Sequence, residues 1–508
     1  MPWRRRCAAA RLRAGAAAAP NRRVLSVQEI DPEERGKSAA ARAASAGRWR
    51  AVTYDYGSQR TLVSEGRLGE TAADREYVDA RQPNPSPAEW AEARDLLSSH
   101  PEIGPRLSAG ELIAYRPMPP VITGGADGRR RLVTVGLLPR LPGGDFAHEI
   151  VGVDIGGGPV QRFAARAPAT SAAAPALTCG APLDANQSTS GRGLAGQYSI
   201  TIRRGSTVYW TFTAVRPSAS SGGLGSGVEL RDVFYRGRKV LARAHVPILN
   251  VRYDNDVCGP YRDWQYDESF LQADGTDVAP GFRQATSAPQ TIIQSGRDAG
   301  NFRGTAVWTS GEETTLTAEL EAGWYRYISQ WTFHTDGTIK PRFGFASVQN
   351  TCVCNVHHHH AYWRLNFDIG GAGRNFVQRS TATGWQVVPK EAVAYRDPQL
   401  TTRWRVGNRD QPLRYEIRPN PNDGTAKTSS DWPFPVGDLW FLRYRASEID
   451  DGAATKQAGL NRFIQGEPIN GYDLVVWYAA HFTHDQGADE EAGGTDHVVG
   501  PDLVAVRW

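Results

Sequence analysis

From about residue 185 onward the chain alternates apolar and polar residues over one strand length after another: YSITIRR, TVYWTFTAVR, GVELRDVFYR, KVLARAHVPILNVRY, WYRYISQWTF, TIKPRFGFASV, YWRLNFDI, LRYEIRP, DLWFLRYRA, DLVVWYAAHFTH and DLVAVRW. In an extended chain residues two apart share a face, so this alternation marks strands with one side buried. Helical periodicity is nearly absent there. Turn dipeptides such as Asp336-Gly337 punctuate the run, and together these signals predict a large antiparallel β-sandwich over residues 186–508. Ahead of it, PSPAEWAEARDLLSSHPEIG has helical spacing and a start signal in Ser86, Pro87 and Glu89. With the strand-like RRRLVTVGLLPR and DFAHEIVGVDIGGGPVQRF it predicts a small α/β domain over 46–165. The Ala/Pro/Ser-rich stretch around 166–185 reads as a linker, and the basic, Ala/Arg-rich residues 1–45 as a leader without order. The fold class is therefore mainly β with a small α/β domain in front.

Composition agrees with a large core, since 40% of the 508 residues are apolar and 22% charged. The 53 Gly, 32 Pro, 15 Trp and 18 Tyr favour strands and turns. Much of the net charge of +4 comes from Arg4, Arg5, Arg6, Arg11, Arg13, Arg22 and Arg23, which leaves a nearly neutral body and excludes a nucleic-acid groove. The basic start followed by Ala14 to Ala19 imitates a secretory signal, yet its apolar run is short, so the compartment stays open. No stretch approaches the roughly 20 apolar residues of a membrane span. Of the five cysteines Cys7 falls in the leader, leaving Cys179, Cys258, Cys352 and Cys354 for the fold to place. The run GGLGSG at 222–227 lacks the helix that a phosphate loop requires after it.

The strongest chemical signal is the run His357, His358, His359, His360 entering the strand AYWRLNFDI. Alternate histidines of a strand converge on one side, imidazole suits copper or zinc, and further ligands must come from elsewhere. His484 in WYAAHFTH is the natural candidate and His481 a weaker one. Two plainer readings stand beside this: surface or structural histidines, and a structural zinc site using Cys352 and Cys354. Strand parity disfavours the zinc site, because it would put both cysteines on the face of His358 and His360.

At these residues the sequence resembles the catalytic domain of the copper amine oxidases. That family carries a His-x-His pair followed after four residues by Arg-Leu-Asp-x-Asp, and here His357-His358-His359 is followed after four residues by Arg364-Leu365-Asn366-Phe367-Asp368. The resemblance implies copper ligands at His357 and His359. The third falls on His484, because Asp473-Leu474-Val475-Val476-Trp477-Tyr478 leads to Thr483-His484 as in the family. The family's Asn-Tyr-Asp/Glu-Tyr motif, whose first tyrosine becomes topaquinone, matches Trp324-Tyr325-Arg326-Tyr327. Tyr325 is then the quinone precursor, with Trp324 in place of Asn and Arg326 in place of an acid. Parity puts Trp324 and Arg326 on the face away from Tyr325 and Tyr327.

The resemblance further implies that Asp267, fourteen residues after Tyr253, is the base that removes the substrate proton, and that Tyr253 hydrogen-bonds the quinone oxygen. It implies a calcium-type site from Asn366, Asp368 and Asp473 with the carbonyls of Phe367 and Leu474, weakened by Asn in place of Asp. The implied activity is oxidative deamination of a small primary amine by molecular oxygen to aldehyde, ammonia and hydrogen peroxide, in a homodimer. Two rivals stay open: a non-catalytic copper-binding relative in which Tyr325 is an unmodified core tyrosine, and a copper protein that uses Tyr325 differently.

Overall fold

Two large antiparallel sheets face each other and carry most of the molecule. The computed structural model describes residues 21–508 apart from 32–34, 71, 81, 118–120, 125–129, 140–147, 164–179, 182–195, 254–260, 398, 427–435, 447, 449–459 and 485–497. In the first, nine-stranded sheet the central order is Glu229–Tyr235, Arg238–Tyr253, His357–Phe367, Leu474–His484, Leu439–Arg443. The second, of twelve strands, is centred on Glu313–Ala322, Tyr325–His334 and Ile339–Ser347, followed by Asp502–Arg507 and Arg414–Arg418. The inner faces interdigitate: Val251, Leu365, Val476 and Tyr478 meet Leu316, Leu320, Tyr327, Phe343 and Phe345 in one apolar core. This is the predicted sandwich.

The first sheet is covered on both sides. Tyr362, Val475, Trp477 and Ala479 point away from the main core into a second cluster with Trp440, Leu442 and Leu460. A strand buried on both faces must be apolar at successive positions, which explains why LVVWYAAHF reads as a nearly continuous apolar run. The converse case is Glu313–Ala322, whose ETTLTAELEA sequence gave no clear apolar signal although it pairs along the full length of Tyr325–His334. Its Glu319 and Glu321 are buried in an ionic network that local patterning cannot show.

The N-terminal part corrects one expectation. Residues assigned to a leader form a strand, Arg22–Glu29, paired with Arg48–Asp55, and a helix, Ala39–Ser45. The basic and Ala-rich composition obscured the short strand pattern in RRVLSVQE. That strand edges a four-stranded sheet; a five-stranded sheet follows, on which the helix Pro87–Ser98 packs through Ala93 and Leu97. The predicted start signal is a capping box: the Ser86 hydroxyl accepts from the Glu89 N–H at 3.2 Å, and the Glu89 carboxylate from the Ser86 N–H at 2.7 Å. Of the predicted linker only Gly180 and Ala181 lie within the described residues, and Ala181 bridges to Val348. Among the described residues no helix is long and apolar enough to cross a membrane.

Candidate metal centre

The strands His357–Phe367 and Leu474–His484 pair rung by rung, with His357 opposite His484 and His359 opposite Phe482. Alternation sorts six histidines onto two faces. On the inner face the ring centroids of His357 and His359 are 4.9 Å apart, and that of His484 lies 4.7 Å from His357. On the other face His358 meets the Thr483 hydroxyl at 2.9 Å, and His360 Nδ1 lies 2.8 Å from His481 Nδ1. Burial holds His360 well below the usual imidazole range.

The inner trio is oriented by its surroundings. The Asn355 carbonyl can only accept, so His357 Nδ1–H donates to it at 2.7 Å and a neutral ring keeps its lone pair on Nε2. His359 stacks on Phe345 at 3.9 Å and on Phe482 at 5.3 Å. Three imidazoles facing one another are a donor set suited to copper. Among the described residues no group of three or more His, Cys, Asp or Glu side chains stands ready-made around a metal position. The fold supplies converging donors rather than a finished coordination sphere. The zinc alternative fails for a different reason from the one parity suggested: Thr351–Cys354 is a turn of 3₁₀ helix, not strand, and Cys352 and Cys354 are disulfide-bonded and so no longer thiolate donors.

Tyr325 approaches from the opposite sheet. Ala322 and Tyr325 close a two-residue hairpin whose first turn residue, Gly323, has φ 60°, the left-handed value that a type II′ turn asks of glycine. The Tyr325 ring is fully buried, 4.9 Å from His359 and 5.7 Å from His357. Tyr327 lies on the same face, 5.9 Å from His359, and its hydroxyl donates to Asp263, whose carboxyl burial raises well above the ordinary range. Trp324 departs from the parity reading. It belongs to the turn, where strand alternation does not hold, and its indole lies 6.0 Å from Tyr325 and 6.2 Å from Tyr115. Arg326 does point away, forming a bidentate pair with Asp298 at 2.7 and 2.9 Å. It also donates to the carbonyls of Tyr325 at 3.0 Å and Gly323 at 3.3 Å, so it braces the hairpin while Asp298 balances its charge.

Asp267 lies in a buried segment, 263–269, pressed against the glycine-rich run. A Cβ at Gly225, where φ is 79°, would come within 2.6 Å of the Tyr266 backbone nitrogen, so the glycines that imitate a phosphate loop permit this close backbone packing. The Asp267 carboxyl is pushed up to about 7, chiefly by burial, with Arg116 opposing and Glu321 reinforcing the rise. Arg116 was not singled out in the sequence. It directly follows the strand Leu112–Tyr115 of the five-stranded sheet, pairs with Asp267 Oδ2, donates to the Tyr266 hydroxyl at 3.0 Å and lies 4.5 Å over the Trp264 ring. Its neighbour Tyr115 touches Trp324, so two adjacent residues reach both the hairpin of Tyr325 and the carboxylate of Asp267. The backbone of Tyr253 pairs with that of His357, while its side chain lies outside the described residues.

No family model and no curated protein matches this chain. Solved structures do. A copper-containing benzylamine oxidase from Hansenula polymorpha matches 98% of this chain and 95% of its own at 13% identity, with a TM-score of 0.59. The lysyl oxidase PPLO of Pichia pastoris matches 95% of this chain and 85% of its own at 12% identity, with a TM-score of 0.52. The chain has the copper amine oxidase fold. On that fold the expected calcium-type pocket meets a different occupant. Asn366, Asp368 and Asp473 gather at the far end of the histidine strand, where Phe367 and Leu474 form its last rung with the neighbouring strand, and the Lys37 ammonium lies among their oxygens at 2.8, 2.7 and 2.7 Å.

Proposed function

We propose that the chain is a divergent copper amine oxidase that converts primary amines and oxygen to aldehyde, ammonia and hydrogen peroxide. His357, His359 and His484 would hold the copper and Tyr325 would be the topaquinone precursor. One observation carries this reading: a fully buried tyrosine from one sheet lies 4.9 and 5.7 Å from two of three converging imidazoles of the other. Copper bound there would, with oxygen, supply the oxidation of the Tyr325 ring to a quinone able to capture an amine.

The remaining roles belong to this chain's own residues. Phe345 and Tyr327 wall the Tyr325 ring at 5.9 and 5.4 Å and keep bulk water from it. Asp267 acts as the base, since a carboxyl pushed up to about 7 is matched to taking and returning a proton near neutrality. Arg116 holds one of its oxygens in place, acting as a positioning residue.

The same ion pair and the Trp324 indole beside Tyr325 favour the rival, a copper-binding relative that never forms the quinone. Phenylhydrazine separates the two. Copper-loaded, aerated wild type is expected to develop a visible quinone band and a coloured hydrazine adduct, while apo protein and Tyr325→Phe stay colourless. Wild type replete with copper but colourless rejects the oxidase reading and leaves the rival.

A further inference from the structure

We propose that the Lys37 ammonium is the resident cation of the pocket formed by Asn366, Asp368 and Asp473, standing in place of a divalent metal and fastening the N-terminal segment to the sandwich. An ammonium has three protons and no lone pair, and this one meets three oxygens at 2.8, 2.7 and 2.7 Å. Each proton has its acceptor. The Tyr444 ring lies 4.3 Å from Nζ, and Lys37 keeps only 9% of its side chain exposed.

Charge points the same way. Two carboxylates face two ammonium groups, because Lys239 Nζ stands 3.5 Å from the second oxygen of Asp368 while also bonding Asp232 at 2.7 Å. A calcium ion would need about six to eight oxygens at roughly 2.3–2.6 Å. To enter it would have to evict a tethered cation and then sit beside Lys239. Tethering favours the lysine, since the ordering of its segment is already accomplished by folding.

The local sequence delivers the side chain. Gly36 takes φ 126°, a value costly for other residues, and Ser38 caps the helix Ala39–Ser45 by accepting from the Ala41 N–H at 3.1 Å. Lys37 lies between them, at the residue before the cap. A second fastening precedes it, where Arg243 donates to Asp31 at 2.8 Å. Together they bind the segment between Arg22–Glu29 and Arg48–Asp55 to the histidine strands and their neighbour Arg238–Tyr253.

Thermal unfolding tests the role of Lys37 independently of any oxidase activity. Unfolding of wild type is followed with and without excess calcium, with terbium luminescence as a direct probe of the pocket and copper content measured in parallel. The expected result is one unfolding temperature with and without calcium and no sensitised terbium emission. Lys37→Met should unfold several degrees lower with copper unchanged, and adding Asp368→Asn and Asp473→Asn to it should restore part of the loss. Wild type that binds calcium and loses it on Asp473→Asn overturns the proposal. So does Lys37→Met unfolding at the wild-type temperature, or a triple variant no more stable than Lys37→Met. Should Lys37→Met fail to fold, the wild-type titration and the triple variant still decide.

Discussion

One pair of antiparallel strands ends in two unlike pockets. At one end His357 and His359 face His484; at the other, ten residue steps or roughly 33 Å along the strand, Asn366, Asp368 and Asp473 close on Lys37. Imidazole can be buried as a neutral molecule, so the first pocket can fold before an ion arrives. Carboxylates cannot be buried without a counter-charge except at a cost of several kcal/mol. The second pocket therefore either waits for a metal or is supplied with a cation by the chain, and here the chain supplies it. The contrast teaches that similar ligand positions on one fold can differ in whether the protein imports its charge or carries it.

The comparison can be broken most completely at the imidazole end. His357→Ala/His359→Ala is expected to abolish binding of the one copper per chain that the trio would hold, read by metal analysis. Next in size is the base: Asp267→Asn should still form the hydrazine adduct but turn over roughly 10² to 10⁴ times more slowly. Intact turnover in that variant removes Asp267 from the mechanism. At the carboxylate end Lys37→Met leaves the buried Asp368 with Lys239 alone and the part-exposed Asp473 without its hydrogen-bonded ammonium, and should cost about 1–3 kcal/mol, read by urea unfolding.

The smallest effect is a displaced pH profile. Asp267 works ionised, so kcat/KM should rise with pH through about 7. Arg116 favours the ionised form, so Arg116→Met should move that limb to higher pH, and an unmoved limb argues against the pair. The stability linkage has the opposite sense. With a folded value above the ordinary ~4, Asp267's contribution is fully present below that pH and is lost as the pH rises through about 7.

What the sequence revealed follows the range of its signals. Alternation exposed most of the sandwich, whereas the choice of His357, His359 and His484 rested on the family resemblance, and the fold brings those three rings together. Trp324 was misplaced because strand parity was extended one residue into a turn. Lys37 and Arg116 were invisible for a different reason. Lys37 bonds residues 329, 331 and 436 positions away, and Arg116 pairs with a residue 151 positions away. No local period records such partners. Asp298, which neutralises Arg326, likewise sits 28 residues from it in a loop with no distinguishing pattern.

The measurement that tests the contrast most directly is elemental analysis of wild type equilibrated with copper and calcium together, then freed of loosely held ions. One copper and no calcium per chain is the predicted result. A chain that retains calcium lost on Asp473→Asn, or that retains no copper, would contradict the account.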